Sequence, residues 1–151
     1  EIDSLLTKYN FCKDVNEQMI KKEENIRTTL NEKAKKLEGE MREFERKIQN
    51  NGFATRERAE QEQARLLKQQ QELQQLQQKL AEELAMENQK NNLEMRDSIN
   101  SFLKVYNQTK GYDLIISNAG LDNLLYANPA FNITNEIVEG LNARYNPSIK
   151  K

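Results

Sequence analysis

The chain carries 24 Asp and Glu side chains, a residue type that can perform general acid–base chemistry when two of them are paired. Such a pair needs a dry, concave setting that drives the two pKa values apart. Nearly all of these carboxylates stand among Lys, Arg and Gln in segments with helical periodicity. We therefore expect solvated helix faces, and we predict no catalytic residue.

Nucleophilic, metal and phosphate chemistry are disfavoured as well. Histidine is absent, which removes imidazole-based triads and the commonest zinc ligand. Cys12 is the single cysteine, so it forms no intrachain disulfide, and without a histidine to activate it we expect a small buried hydrophobic residue. The five glycines lie far apart, so no glycine-rich loop can hold a phosphate. The sequence predicts no enzyme, no metal and no cofactor.

Composition argues against a single compact core. Of 151 residues only 36% are hydrophobic and 31% are charged, and the mean hydropathy is -0.94. The net charge of -1 and the mixture of Arg and Glu around residues 42–65 disfavour nucleic-acid binding. No apolar run reaches membrane-spanning length. The chain opens at Glu1 without a methionine or a signal-like segment, so we expect a processed or trimmed chain.

Two long amphipathic helices are predicted between residues 4 and 108, which contain no proline and little glycine. The apolar seam of the first helix is Leu30, Ala34, Leu37, Met41, Phe44 and Ile48. That of the second helix includes Ala59, Leu66, Leu73 and Leu80, spaced by seven. Between them, Gly52 suits the left-handed position that ends a helix, and Thr55 is the expected N-cap of the second helix.

A break this short makes the two helices antiparallel neighbours. A single register about Gly52 then pairs the two apolar seams: Leu30 with Leu73, Leu37 with Leu66, Phe44 with Ala59 and Met19 with Leu84. Glutamines at 63, 69 and 70 make some layers weak, so we expect the hairpin to bend and open locally, and its base to need a partner surface. Phe53 at the tip has no obvious core, so it is either a contact point or a cap over the helix ends.

The C-terminal part is predicted to be a small segment that contains both strands and a helix. Strands are predicted at about 112–117 and 123–127, and a helix at about 135–145 with Thr134 as its N-cap. Ile2 is interpreted as the stub of a further strand. Because a two-stranded hairpin is marginal alone, we expect other chains to complete the sheet.

Several runs then resemble a known family, the Skp (OmpH-like) periplasmic chaperones. These runs are Gly111-Tyr112-Asp113-Leu114-Ile115-Ile116, Leu125-Tyr126-Ala127-Asn128-Pro129, Ile133-Thr134-Asn135-Glu136-Ile137-Val138 and Leu141-Asn142. The resemblance implies a mainly α fold with a small β body. A long antiparallel coiled-coil hairpin, or tentacle, would stand on a strand-sharing trimerisation body, giving a jellyfish-like homotrimer. The body would comprise 1–20 and 96–151, and the tentacle 21–95 with its tip near 50–55.

The function implied is that of an ATP-independent holdase. It would bind unfolded outer-membrane β-barrel proteins in a cavity between flexible arms and prevent their aggregation in the periplasm of Gram-negative bacteria, which it would reach by a cleaved signal peptide. The expected client contacts are Phe53, Met41 and Phe44. The expected trimer contacts are Ile115, Leu124, Tyr126, Ile137 and Leu141.

Two other functions fit the helical pattern. One is a structural or tethering coiled-coil protein that binds a folded partner. The other is a cytosolic prefoldin-like chaperone, although there the strands lie between the two helices, whereas here they follow the second. Members of the Skp family often carry a positive surface that attracts clients and lipopolysaccharide. The pI of about 5.7 departs from this, so the near-neutral charge disfavours peripheral membrane or lipopolysaccharide contact.

Overall fold

The computed structural model describes residues 1–118, 124 and 126–146, over which the chain is mostly helical. The helices are α1 (Ile2–Lys8), α2 (Asn10–Gln49), α3 (Arg56–Lys110) and α4 (Thr134–Arg144), with a 3₁₀ turn at Pro129–Phe131. The predicted mainly helical fold with two long helices is therefore confirmed. The chain divides into two compact units: Glu1–Met19 with Asn88–Lys151, hereafter the body, and Ile20–Glu87, hereafter the arm.

The arm turns where the sequence predicts, but a different residue takes the left-handed conformation. Asn51 has a φ of 49°, whereas the prediction placed Gly52 there. The Gly52 amide donates to the Lys47 carbonyl (2.7 Å) and the Asn51 amide donates to the Ile48 carbonyl (3.2 Å). This pair of bonds is a Schellman motif, which satisfies carbonyls that the helix end leaves free. Asparagine tolerates the left-handed region well enough to occupy the position before the glycine.

The start of α3 follows the prediction. The Thr55 hydroxyl accepts a hydrogen bond from the Arg58 amide (3.3 Å), so Thr55 is confirmed as the capping residue. Glu57 lies in the first turn, where the partial positive charge of the helix N-terminus favours a carboxylate.

Within the arm, side chains of α2 and α3 meet in antiparallel order. Lys22 of α2 forms an ion pair with Glu87, and Glu40 forms one with Arg65 at 2.7 Å, so a later position on α2 meets an earlier one on α3. Of the arm's apolar side chains, Leu37 and Leu66 are the most buried, at 9% and 5% exposure. The predicted register places these two leucines opposite each other.

The first helix is not continuous, because Tyr9 adopts an extended conformation between α1 and α2. The break frees backbone groups on both sides, and one side chain from α4 binds them: Asn142 Oδ1 accepts from the Asn10 amide (2.8 Å), while its Nδ2 donates to the Lys8 carbonyl (3.2 Å). The interpretation of Ile2 as the stub of a further strand is wrong, because Ile2 opens α1.

The body core gathers around this break. Its buried side chains come from α1, the break, the start of α2 and α4: Leu5, Tyr9, Phe11, Ile137, Val138 and Leu141. Apolar residues of α3, among them Met95, Ile99 and Phe102, pack against them. The rings of Tyr9, Phe11 and Tyr145 lie with centroids 5.7 to 6.1 Å apart. Such aromatic packing adds to the burial of apolar area, and together they hold α4 against the residues around the break.

The predicted strands are absent from the described residues. Positions 112–117 have no regular secondary structure, and neither do 124, 126 and 127, while 123 and 125 lie outside the described residues. A strand exists only with a ladder partner, and the described residues contain none for this segment. Its start is nevertheless fixed: the Asn107 side chain accepts from the Tyr112 amide (2.7 Å) and donates to the Tyr112 carbonyl (2.8 Å).

The final helix runs from Thr134 to Arg144, close to the predicted 135–145. Thr134 is not its N-cap, as predicted, but its first helical residue. The Asn132 side chain, which accepts from the Thr134 amide at 3.0 Å, provides the capping bond instead.

A polar contact links α3 to α4 in the body. Glu136 Oε2 accepts from the Tyr106 hydroxyl (2.8 Å) and from Lys110 Nζ (2.9 Å). The Lys110 hydrogen bond, followed by that of Tyr106, holds the pKa of Glu136 below its ordinary value. Desolvation, followed by the Glu136 bond, raises the pKa of Tyr106 to about 12.

The body should lose stability in acid through Glu136. A carboxylate with a lowered pKa in the folded state stabilises the fold above its unfolded-state pKa, about 4.3, and this contribution is lost as the pH falls through the folded-state value. Glu136→Gln should therefore show a smaller drop in melting temperature between pH 7 and pH 3 than the unmodified chain. Glu139→Gln, on the same helix, is the control. An unchanged pH dependence in Glu136→Gln would contradict the assignment.

Two glycines give a matched pair of stability predictions. A Cβ at Gly140 would overlap the Phe102 ring, whereas a Cβ at Gly39 meets nothing within 4 Å. Gly140→Ala should lower the unfolding free energy by about 1–2 kcal/mol, because overpacking outweighs the helix propensity of alanine. Gly39→Ala should raise it by about 0.5–1 kcal/mol, since only the propensity changes. Urea unfolding followed by circular dichroism measures both free energies. If the two substitutions change the unfolding free energy by the same amount and in the same direction, the Phe102 contact is unimportant.

Candidate functional site

The tip of the arm brings two of the three predicted client contacts together. The Phe53 ring lies 5.5 Å from the Phe44 ring, centroid to centroid, and both side chains are half-buried. Phe53 therefore packs back onto α2, which is the capping alternative left open by the sequence. Met41, one turn before Phe44, is 39% exposed, and Ile48 is 49% exposed. The tip thus presents apolar side chains to solvent beside a small aromatic pair.

The seam of the arm is only partly closed. One groove of about 210 Å³ contains Leu37, Leu73 and Leu76, and a second of about 420 Å³ contains Leu30, Leu73 and Leu84. Leu30 and Leu73, which the predicted register pairs, line the same groove. Two helices bury less apolar surface than a bundle of three or four, so unfilled space along their seam is expected. Apolar side chains are consequently within reach of solvent along the arm.

The body exposes large apolar side chains that its own core does not use. Leu114, Ile116, Tyr126 and Phe131 are 73%, 56%, 82% and 78% exposed. Where exposed apolar side chains form a contiguous patch, they mark an interaction site. These four residues define the apolar surface of the body.

The five predicted trimer contacts lie in different environments. Tyr126 is exposed, Ile115 and Leu124 are half-buried, and Ile137 and Leu141 are buried in the core of the same chain. Ile115 and Ile137 nevertheless line one groove of about 550 Å³ in the body, together with Leu5, Met95 and Ile99. A segment lying in this groove would contact both of them, whereas Leu141, at 1% exposure, is occupied by intrachain packing.

The single thiol and the acidic side chains are the candidates for reactive or metal-binding groups. Burial raises the pKa of the Cys12 thiol, which packs against the body core, so the reactive thiolate is disfavoured. Over the described part of the chain, no group of three or more acidic or cysteine side chains could hold a metal ion. Among the helices described above, none is long and apolar enough to cross a membrane.

Sequence reasoning missed two features that the structure shows. Phe131 stands outside every periodic segment, and its only sequence signal is an aromatic residue in a proline-containing turn. The Arg65–Glu40 bridge across the arm was also missed, although the predicted register places these residues within about one turn of each other.

The comparison with protein families gives a match over nearly the whole chain. Residues 1–141 match the family model OmpH, described as outer membrane protein (OmpH-like). No curated protein matches the chain at a significant level. A match of this extent includes both the arm and the body, and the chain belongs to the OmpH-like family.

Proposed function

We propose that the chain is an ATP-independent holdase that binds unfolded outer-membrane β-barrel proteins in the periplasm and prevents their aggregation. The observation that carries this proposal is membership of the OmpH-like family over residues 1–141. The geometry supports it, because apolar groups lie within reach of solvent along a highly charged arm. The proposed mode of action is binding, without an enzymatic step.

Client binding would consist of many shallow contacts. Met41, Phe44 and Phe53 at the tip are the proposed contact residues, and the partly open seam adds leucines to them. Each contact is weak, but contacts joined on one arm act at a high effective concentration, so that together they hold an unfolded chain. Ion pairs four residues apart, such as Lys47–Glu43 and Lys79–Glu83, keep the remaining helix surface solvated.

A homotrimer would explain the apolar surface of the body. In this proposal residues 112–117 and 123–127 pair with the same segments of other chains and form a small shared β body, from which three arms surround a cavity. Tyr126, Leu124 and Ile115 would lie at this interface, and Ile137 would be reached through the groove that it shares with Ile115. A shared sheet would pair the backbone of a segment that has no partner strand within the described chain.

Aggregation of a β-barrel protein diluted from urea tests the holdase. The unmodified chain should suppress light scattering at a stoichiometric trimer concentration. Met41→Ser/Phe53→Ser should require about threefold more protein, because two apolar contacts are lost among several. Glu45→Ser, an exposed polar change on the same helix, should behave like the unmodified chain. Unchanged aggregation with the unmodified chain would reject the holdase and favour a coiled-coil tether for a folded partner.

Assembly is tested separately by the mass in solution. Multi-angle light scattering at micromolar concentration should give about three times the 17.7 kDa chain mass. Tyr126→Asp should shift the population towards monomers, since a charge would be buried without a partner, whereas the neighbouring Ala127→Ser should not. A stable monomer of the unmodified chain would contradict the shared body.

A further inference from the structure

The arm contains a polar bridge between its two helices. Arg65 of α3 donates from Nη2 to Glu40 Oε2 of α2 at 2.7 Å. The same guanidinium donates to Glu62 in its own helix, from Nη2 to Oε1 at 2.7 Å and from Nε to Oε2 at 2.9 Å. Arg65 therefore holds two carboxylates from different helices with one planar, multidentate group.

A fourth side chain joins the bridge. When its amide oxygen faces the guanidinium, Gln69 accepts from Arg65 Nη1 at 3.0 Å and donates to Glu40 Oε2 at 3.2 Å. Gln69 lies one turn after Arg65, in a part of α3 where the apolar seam is weak. A polar residue at this position thus contributes hydrogen bonds where a leucine would have contributed buried area.

The bridge lies beside the most buried leucines of the arm. Arg65 is adjacent in sequence to Leu66, and Glu40 lies about one turn from Leu37 on α2. Glu40 and Gln69 line the same groove as Leu37. The predicted register pairs Leu37 with Leu66, and we call this buried pair the leucine layer; the bridge lies within one turn of each of its two members in sequence.

The Arg65 bridge differs from most ion pairs of the arm because it joins two different helices. The arm's other ion pairs connect residues three or four apart within one helix, except Lys22–Glu87 at the far end. Without Arg65, Glu40 and Glu62 would lose the one cation that contacts both of them, and Glu40 would keep only its ion pair with Lys36 inside α2.

We propose that the Arg65 bridge is an electrostatic latch, which holds α2 against α3 over the Leu37–Leu66 layer and whose release lets this section of the arm open. The latch is a property of the arm itself and does not depend on client binding, so it can fail without affecting the holdase proposal. Since Arg65 and Glu40 are partly exposed, salt weakens their attraction. Arm opening should therefore increase with ionic strength.

Hydrogen exchange of the full chain, followed by mass spectrometry, tests the latch. Glu40→Gln should speed exchange in the segments around residues 40 and 65 by about threefold at low salt and reduce the salt dependence there. Glu62→Gln is the matched control, because it removes a contact of the same length within α3 and leaves the crossing contact in place. Lys36→Gln controls for the other ion pair of Glu40, which lies within α2.

A second readout reports on the leucine layer directly. The probe is a cysteine introduced by Leu66→Cys in a Cys12→Ala background, and its labelling rate by a maleimide is measured. Labelling should be faster when Glu40→Gln is added than when Glu62→Gln is added. With neither glutamine change, labelling should be faster at high salt than at low salt. Equal rates for the two glutamine variants in both measurements would overturn the latch, as would an exchange rate that salt does not change in the unmodified chain.

Discussion

The narrow contact between two helices limits the stability of the arm and shapes much of what surrounds it. A pair of helices can present only one seam to each other, and in the arm that seam buries Leu37 and Leu66 while leaving grooves beside Leu30, Leu73 and Leu76. Apolar burial is the main favourable contribution to folding, so a thin seam leaves little stability in reserve. Polar contacts across the hairpin then matter more than they would beside a large core.

The body differs from the arm in how its apolar side chains are distributed. It has a core of its own, built from short stretches far apart in sequence, but it also exposes Leu114, Ile116, Tyr126 and Phe131. In the proposed trimer these side chains would be the ones that lose contact with water on assembly. The family match over residues 1–141 includes residues of both units.

Local patterns predicted the arm well, and long-range contacts explain where prediction failed. The heptad spacing, the turn near Gly52 and the Thr55 cap all depend on residues close in sequence, and the structure has each of them. The break at Tyr9 depends on the side chain of Asn142, more than 130 positions away, which no local pattern reveals. The strands predicted at about 112–117 and 123–127 are not seen in the described residues for a related reason, because a ladder partner is not encoded in the segment that needs it. At the tip, the sequence singled out Phe53 but could not decide whether it contacts a partner or caps the helix ends. Its packing on Phe44 depends on the geometry of the turn.

The side-chain amide of Asn142 also bears on the order in which parts of the chain fold during synthesis. It supplies the partners for backbone groups at Lys8 and Asn10, so the break between α1 and α2 cannot reach its folded hydrogen bonding until Asn142 has been synthesised. The arm, by contrast, needs only sequence neighbours and can form as soon as it emerges. Tyr9 and Phe11 pack against the Tyr145 ring that follows α4, so residues 1–19 complete their core only after that ring has been synthesised.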